Sequence, residues 1–286
     1  MDGGLLILSR YPIISTASLR YNESAGADGI CAKGVLYAQV QLTSGSEGTM
    51  HVFTTHTQSG EFHPETTIRE NQITAMASFI STQIRRHSTA PVLIGGDFNL
   101  DARHDYLFTD HDTRPTATLA VESKSYLKMT NLFKKACGEE YSHFRNVIHD
   151  VHKKHLVTNG IGHSLLNYPP NSVHTDIAKC IDYFFLAQTE PKNIRALTVT
   201  EASVDECRLP QNLKSGKRVP ITHISDHFGL QVTISFNRPT EGDLTALQVL
   251  HPPLHPTNIF NLKVTLFMLG GACVAAWCSI LLYGLI

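Results

Sequence analysis

Four short segments hold residue types suited to phosphoryl chemistry. Gly96-Asp97-Phe98-Asn99 places a carboxylate and a carboxamide two residues apart, directly after the apolar run Val92 to Ile94. If that run is a strand, both groups leave from the C-terminal edge of a sheet, where open α/β sheets place their ligands. Asp97 can then hold a hard cation or a water, and Asn99 can donate to a phosphate oxygen. As a bare string the tetrad also fits a turn, because Gly, Asp and Asn are ordinary turn residues. Ser225-Asp226-His227 follows Thr222-His223-Ile224 and precedes the apolar run Phe228 to Phe236. There His227 can act as a general base near neutral pH, and Asp226 can hold a metal or its water. Asp182 lies inside Ile181-Asp182-Tyr183-Phe184-Phe185. An acid in so apolar a strand needs a partner, and a histidine is a natural one, so Asp182 and His227 pair as orienter and base. Thr55-His56-Thr57-Gln58 ends another strand, where His56 by itself reads as a structural histidine.

These segments need a sheet to position them. Leu5 to Leu8 is a short apolar run stopped by Tyr11-Pro12, so the chain is expected to open in mid-sheet. Leu36, Ala38, Val40 and Leu42 alternate with Tyr37, Gln39 and Gln41, the period of a strand with one covered face. His51 to His56 is a neighbouring strand. Ile68, Gln72, Ile73, Met76, Phe79, Ile80 and Ile84 follow helical spacing, with Arg69, Glu70, Arg85 and Arg86 facing away. Val92 to Ile94, Ile181 to Ala187, Ile194 to Thr200 and Phe228 to Phe236 supply further strands. Strands with intervening helices make an α/β sheet domain. Between Gly138 and Lys179 neither period holds, and the segment reads as a long loop. Its His149, His152 and His155 fall at i, i+3 and i+6 without a recurring acid or thiolate, which reads as a solvated histidine face.

The chain of 286 residues is 42% hydrophobic and 17% charged, which excludes a collagenous or wholly disordered protein. With 24 Lys plus Arg against 25 Asp plus Glu, the net charge of -1 gives no global field for nucleic acid, so no nucleic-acid partner is expected. The six cysteines form no C-x-x-C pair. Val264 to Ile286 runs 23 residues without a charge, long enough for a helix to span the roughly 30 Å core of a bilayer. The expected organisation is a catalytic domain over 1–238, a Pro-containing linker over 239–261 and a single-pass transmembrane anchor over 262–286. Lys263, just before the span, places the catalytic side in the cytoplasm under the positive-inside tendency.

The order and strand-end placement of the four segments resemble the endonuclease/exonuclease/phosphatase superfamily, the DNase I-like fold. Within it the chain is most similar to the magnesium-dependent neutral sphingomyelinases, through Asp2-Gly3-Gly4-Leu5, Ser9-Arg10-Tyr11-Pro12-Ile13, Lys33-Gly34-Val35-Leu36-Tyr37 and His56-Thr57-Gln58. The resemblance implies a four-layered α/β sandwich that hydrolyses sphingomyelin, or a related choline phospholipid, to ceramide and phosphocholine with Mg²⁺. It implies that His227 deprotonates the attacking water, that Asp182 fixes its ring, and that Asn99 and His56 engage the phosphate. Asp97 supports the displacement and Asp226 the metal-bound water network; both are assigned to the metal. A membrane is the implied partner surface.

Members of that family also carry early strands with an Asn and a metal-binding Glu, and Met1 to Ile13 matches a segment internal to them. The chain is thus expected to be N-terminally incomplete, with weak magnesium binding and poor catalysis. Two alternatives follow: a DNase I-like nuclease or inositol-phosphate phosphatase on the same fold, or a membrane-tethered pseudoenzyme that keeps His227 without the ligand.

Overall fold

The computed structural model describes residues 4–42, 48–85, 90–103, 122–159, 179–189, 197–206, 225–237, 259–271 and 274–284. The expected linker up to residue 258, and Thr222-His223-Ile224, lie outside them. Two sheets face each other. One has six strands in the order β2 (Ile13–Arg20), β3 (Gly34–Gln41), β4 (Thr49–His56), β5 (Val92–Asp97), β7 (Asp182–Gln188) and β6 (His143–Asn146). The other runs β1 (Leu5–Ser9), β11 (Val274–Gly284), β10 (Ile259–Gly271), β9 (Gly229–Asn237) and β8 (Leu197–Asp205). Helices α1 (Glu65–Ile84) and α2 (Lys124–Cys137) pack on the six-stranded sheet, and the short α3 (Val147–His152) follows β6.

The period of two explains how the central strands serve two cores at once. Phe53 on β4, Val92 and Ile94 on β5, and Tyr183 and Phe185 on β7 face α1 and α2, meeting Ile73, Met76, Ile80 and Phe133. The alternate residues Met50, Val52, Leu93, Phe184 and Leu186 face the second sheet, meeting Leu230, Val232 and Ile234 of β9. Each fully buried aromatic or aliphatic side chain here contributes about 1.5–3 kcal/mol relative to exposure. The described residues thus form three layers, helices, sheet and sheet; the fourth, helical layer implied by the resemblance is not among them.

Several expectations change. Arg69 is buried, not outward: its Nη1 donates to the carbonyls of Gln58 at 2.9 Å and Gly60 at 2.6 Å, which draws the guanidinium under the loop after β4. The strand β1 lies at a sheet edge, paired with β11 alone among the described strands. The segment 138–179 is not simply a loop, for it contains β6, α3 and a strap from Leu156 to Asn159. β2 escaped the sequence reading because it is an edge strand with most residues exposed, its covered apolar face reduced to Ala17 and Leu19. For α2 a signal existed: Tyr126, Met129, Phe133 and Cys137 are its buried residues, at helical spacing, and Ser123 caps it by accepting from the Tyr126 N–H.

The largest correction concerns the expected transmembrane helix over 262–286. The chain instead forms a hairpin of β10 and β11, with β11 parallel to β1 and β10 antiparallel to β9. No helix among the described residues is long and apolar enough to cross a membrane. Uniform apolarity does not distinguish a helix from interior strands, and Val264, Thr265, Phe267, Val274, Trp277 and Ile280 are of β-favouring types. Gly270-Gly271 sits at the reversal, where a helix would lose stability.

Candidate active site

Strand register builds the site. His56 on β4 is the partner of Asp97 on β5, and Asp97 is the partner of Asp182 on β7. All three share the parity of Val52, Leu93 and Phe184, so they project from one row into the space between the sheets. β4 and β5 run parallel and end here, while β7 runs antiparallel and begins here. His227 enters from the other sheet, two residues before β9, and its Nδ1 lies 3.0 and 3.2 Å from the two carboxylate oxygens of Asp182. Its Nε2 stands 3.8 Å from Asp97 Oδ2, and His56 Nε2 stands 3.4 Å from the same oxygen. Asp97, Asp182, His56 and His227 are all buried.

Backbone conformation fixes the Asp97–Asn99 turn. Gly96 has φ 147°, and a Cβ there would stand 2.2 Å from the Thr55 carbonyl oxygen, so only glycine lets β5 approach β4 closely enough to bring Asp97 beside His56. Asn99 takes a left-handed conformation, φ 46°, which asparagine tolerates. Its backbone N–H donates to Asp97 Oδ1 at 2.7 Å, and its Nδ2 donates to Asp97 Oδ2 at 3.1 Å and to the Thr57 carbonyl at 3.0 Å. Asn99 therefore orients Asp97 and stays partly exposed at the rim of a cleft that Arg69, Lys179 and Ile181 also line.

Burial pushes the Asp97 carboxyl above the usual range, against the pull of His227 and His56. For His227 burial works in the lowering direction, but the Asp182 charge and hydrogen bond, then Asp97 and Asp226, outweigh it and raise the imidazole to about 10. Of the expected residues, His56, Asp97, Asn99, Asp182 and His227 come together. Asp226 is exposed, outside the buried cluster, and reaches it through its field on His227.

Three further groups support the site. Thr158 Oγ1 accepts from the N–H groups of Ile181 and Asp182 at 3.0 and 3.1 Å, fixing the start of β7. Asn159 Nδ2 donates to the Asp226 carbonyl at 3.2 Å, and Asn159 bridges to Lys179 and His227. Both residues belong to the segment that showed no periodicity, and a lone Thr-Asn pair carries no signal that could have singled them out. Lys33 is buried, its Nζ donating to Asp28 Oδ2 and to the Thr57 carbonyl, each at 2.7 Å. A lysine opening an apolar strand was the available hint, and its charge also favours the ionised form of Asp97.

The donor set fits a hard cation. Asp97, Asp182 and His227 each offer an atom within 4.8 Å of the others, and a buried carboxylate held back from ionising is one that a cation would restore. With Asp182 engaged by His227, Asp97 would be the carboxylate to hold such an ion.

The profile of the Endonuclease/Exonuclease/phosphatase family matches residues 1–227. The chain belongs to that family. Among its relatives is a sphingomyelinase of Dictyostelium discoideum, 34% identical over 64 residues, which are 21% of this chain and 14% of the relative. Sphingomyelinase C of Bacillus cereus is 30% identical over 105 residues, 35% of this chain and 30% of the relative. The chain thus spans less than a third of these relatives' length. Among solved structures, a beta toxin of Staphylococcus aureus superposes with a TM-score of 0.47 at 17% identity, covering 78% of this chain and 65% of that one. TDP2 of D. rerio, complexed with single-strand DNA product, gives 0.45 at 16%, covering 77% and 67%.

Proposed function

We propose that this member of the endonuclease/exonuclease/phosphatase family is a metal-assisted phosphodiesterase that hydrolyses sphingomyelin, or a related choline phospholipid, to ceramide and phosphocholine. The observation that carries the chemistry is the row His56, Asp97 and Asp182 on three adjacent strands, closed by His227 from the opposite sheet. The lipid substrate is supported by the relatives named sphingomyelinase, and by the motifs shared with that branch.

His227 Nε2, the ring nitrogen not committed to Asp182, takes a proton from water as the water oxygen bonds to phosphorus and the bond from phosphorus to the ceramide oxygen breaks. Asp182 accepts from Nδ1–H, holds the tautomer and stabilises the imidazolium. Asn99 would have to release one of its two Nδ2 hydrogen bonds, to Asp97 or to the Thr57 carbonyl, to donate to a phosphate oxygen, and His56 would assist the departing alkoxide. Mg²⁺ held through Asp97 would neutralise charge on the phosphate and offset the carboxylate field that otherwise keeps His227 protonated. A lipid substrate brings the domain to a membrane surface.

Phosphocholine release from sphingomyelin vesicles, with Mg²⁺ and with a chelator, tests the reading, beside hydrolysis of single-stranded DNA. Mg²⁺-dependent release of phosphocholine is expected. Cleavage of DNA with sphingomyelin left intact would overturn the lipid assignment, and turnover unchanged by chelator would overturn the metal's part.

A further inference from the structure

The three histidines that read as a solvated face are not equivalent in the fold. His152 is exposed and its Nε2 meets the Ala202 carbonyl at 2.9 Å. His149 and His155 turn together instead, their rings stacked with centroids 4.3 Å apart, and an acid joins them from a distant part of the chain. Glu122, the residue before the Ser123 cap of α2, places Oε1 2.8 Å from His155 Nε2. The missing acidic partner was therefore supplied by tertiary structure, across more than thirty residues of sequence.

We propose that Glu122, His149 and His155 form a binding site for a transition-metal dication of the zinc class, separate from the Asp97, Asp182 and His227 cluster. One donor atom from each residue lies within 4.8 Å of the other two. Donors around a tetrahedral zinc at about 2.1 Å stand about 3.4 Å apart, so small side-chain shifts, including an opening of the 2.8 Å Glu122–His155 contact, complete the set. The His155 side chain is 9% exposed, and its Nδ1 is buried with no hydrogen-bond partner. Two imidazoles and one carboxylate match zinc rather than magnesium, which prefers oxygen donors throughout. The shell around the ligands is also organised: the Tyr126 ring meets His155 edge-on at 5.0 Å, and its hydroxyl accepts from Asn146 Nδ2 at 3.0 Å, while Asn146 Oδ1 caps α3 at the His149 N–H.

The site's location suggests what it does. His155 lies three residues before Thr158, which holds the start of β7, and four before Asn159, which holds the Asp226 carbonyl. A metal joining Glu122 to His149 and His155 ties the start of α2 and the end of α3 to the strap that braces Asp182 and His227. The role is structural and positioning, and it is independent of which phosphodiester the domain hydrolyses.

The test is equilibrium dialysis of the full chain against Zn²⁺ in the presence of excess Mg²⁺, with Co²⁺ absorption reporting the coordination number. One Zn²⁺ per chain is expected, with a Tm increase and a four-coordinate Co²⁺ spectrum. Glu122→Gln and His149→Asn should weaken Zn²⁺ at least about tenfold. Both residues are partly exposed, so these variants should stay folded by circular dichroism. Asp97→Asn and His152→Asn should keep the Zn²⁺. Retention of full affinity in Glu122→Gln and His149→Asn, its loss in Asp97→Asn, or no Zn²⁺ bound by the folded wild-type chain would each overturn the proposal.

Discussion

His227 Nδ1 lies 3.0 Å from Asp182 Oδ2, and that contact joins the two sheets at the point where the candidate chemistry resides. Asp182 opens β7 of the six-stranded sheet, whereas His227 precedes β9 of the other. The base and its orienter are therefore held only while the sheets stay packed.

Replacing His227 by Ala removes the proton acceptor and leaves a space at the end of the inter-sheet core. Turnover is expected to fall by about 10²–10⁴-fold, with the far-ultraviolet circular dichroism spectrum retained. Activity within tenfold of the parent would remove His227 from the base role.

In metal-free protein the His227 pKa is raised to about 10, from an ordinary value of 6.5. The proton-linked stability it contributes is complete below about pH 6.5 and is lost as the pH climbs toward 10, since the unfolded chain gives up this proton first. Urea midpoints measured with chelator should thus fall between pH 6.5 and pH 10. Asp182→Asn should flatten that slope; an unchanged slope in this variant would contradict the assigned cause.

Thr158→Val keeps side-chain volume but deletes the hydroxyl that accepts from the Ile181 and Asp182 N–H groups. A loss of about 1–3 kcal/mol is expected for two buried donors left unpaired. Asp182 should also lose alignment, so kcat should drop more than KM rises. A variant with parental stability and kcat would show that the strap does not hold the site.

Gly96→Ala would force a Cβ to 2.2 Å from the Thr55 carbonyl at a φ of 147°. The strands must separate, at a cost of about 3 kcal/mol, and His56 must move away from Asp97. Chemical denaturation measures the first effect; a variant as stable as the parent would refute the close approach of β4 and β5.

Deleting residues 259–286 removes β10 and β11 and leaves β9 and β1 each without a partner on that side. The expected outcome is loss of cooperative unfolding and aggregation through the open edges. A truncated chain that stays monomeric and folded would instead mark the segment as dispensable to the sheet, as a membrane anchor would be.

Much of this protein is determined by sequence alone. The alternation in Leu36 to Leu42 and the apolar runs at Val92 and Ile181 mark strands, because a strand with a buried face must repeat at two residues. Gly96-Asp97-Phe98-Asn99, Asp182 and Ser225-Asp226-His227 mark the candidate site, because each sets a polar group against an apolar strand end. Only the tertiary structure decided the rest. The apolar C-terminal segment satisfies a helix and an interior strand equally by composition, and the neighbours β1 and β9 settle which hydrogen bonds it makes. Arg69 reads as outward on its helix, yet the carbonyls of Gln58 and Gly60 hold it inside. His155 gains an acid, and Asp182 gains Thr158, from residues with no local signature. Periodicity reports which face of an element is covered, while the partner that meets a polar group across the chain is set by packing.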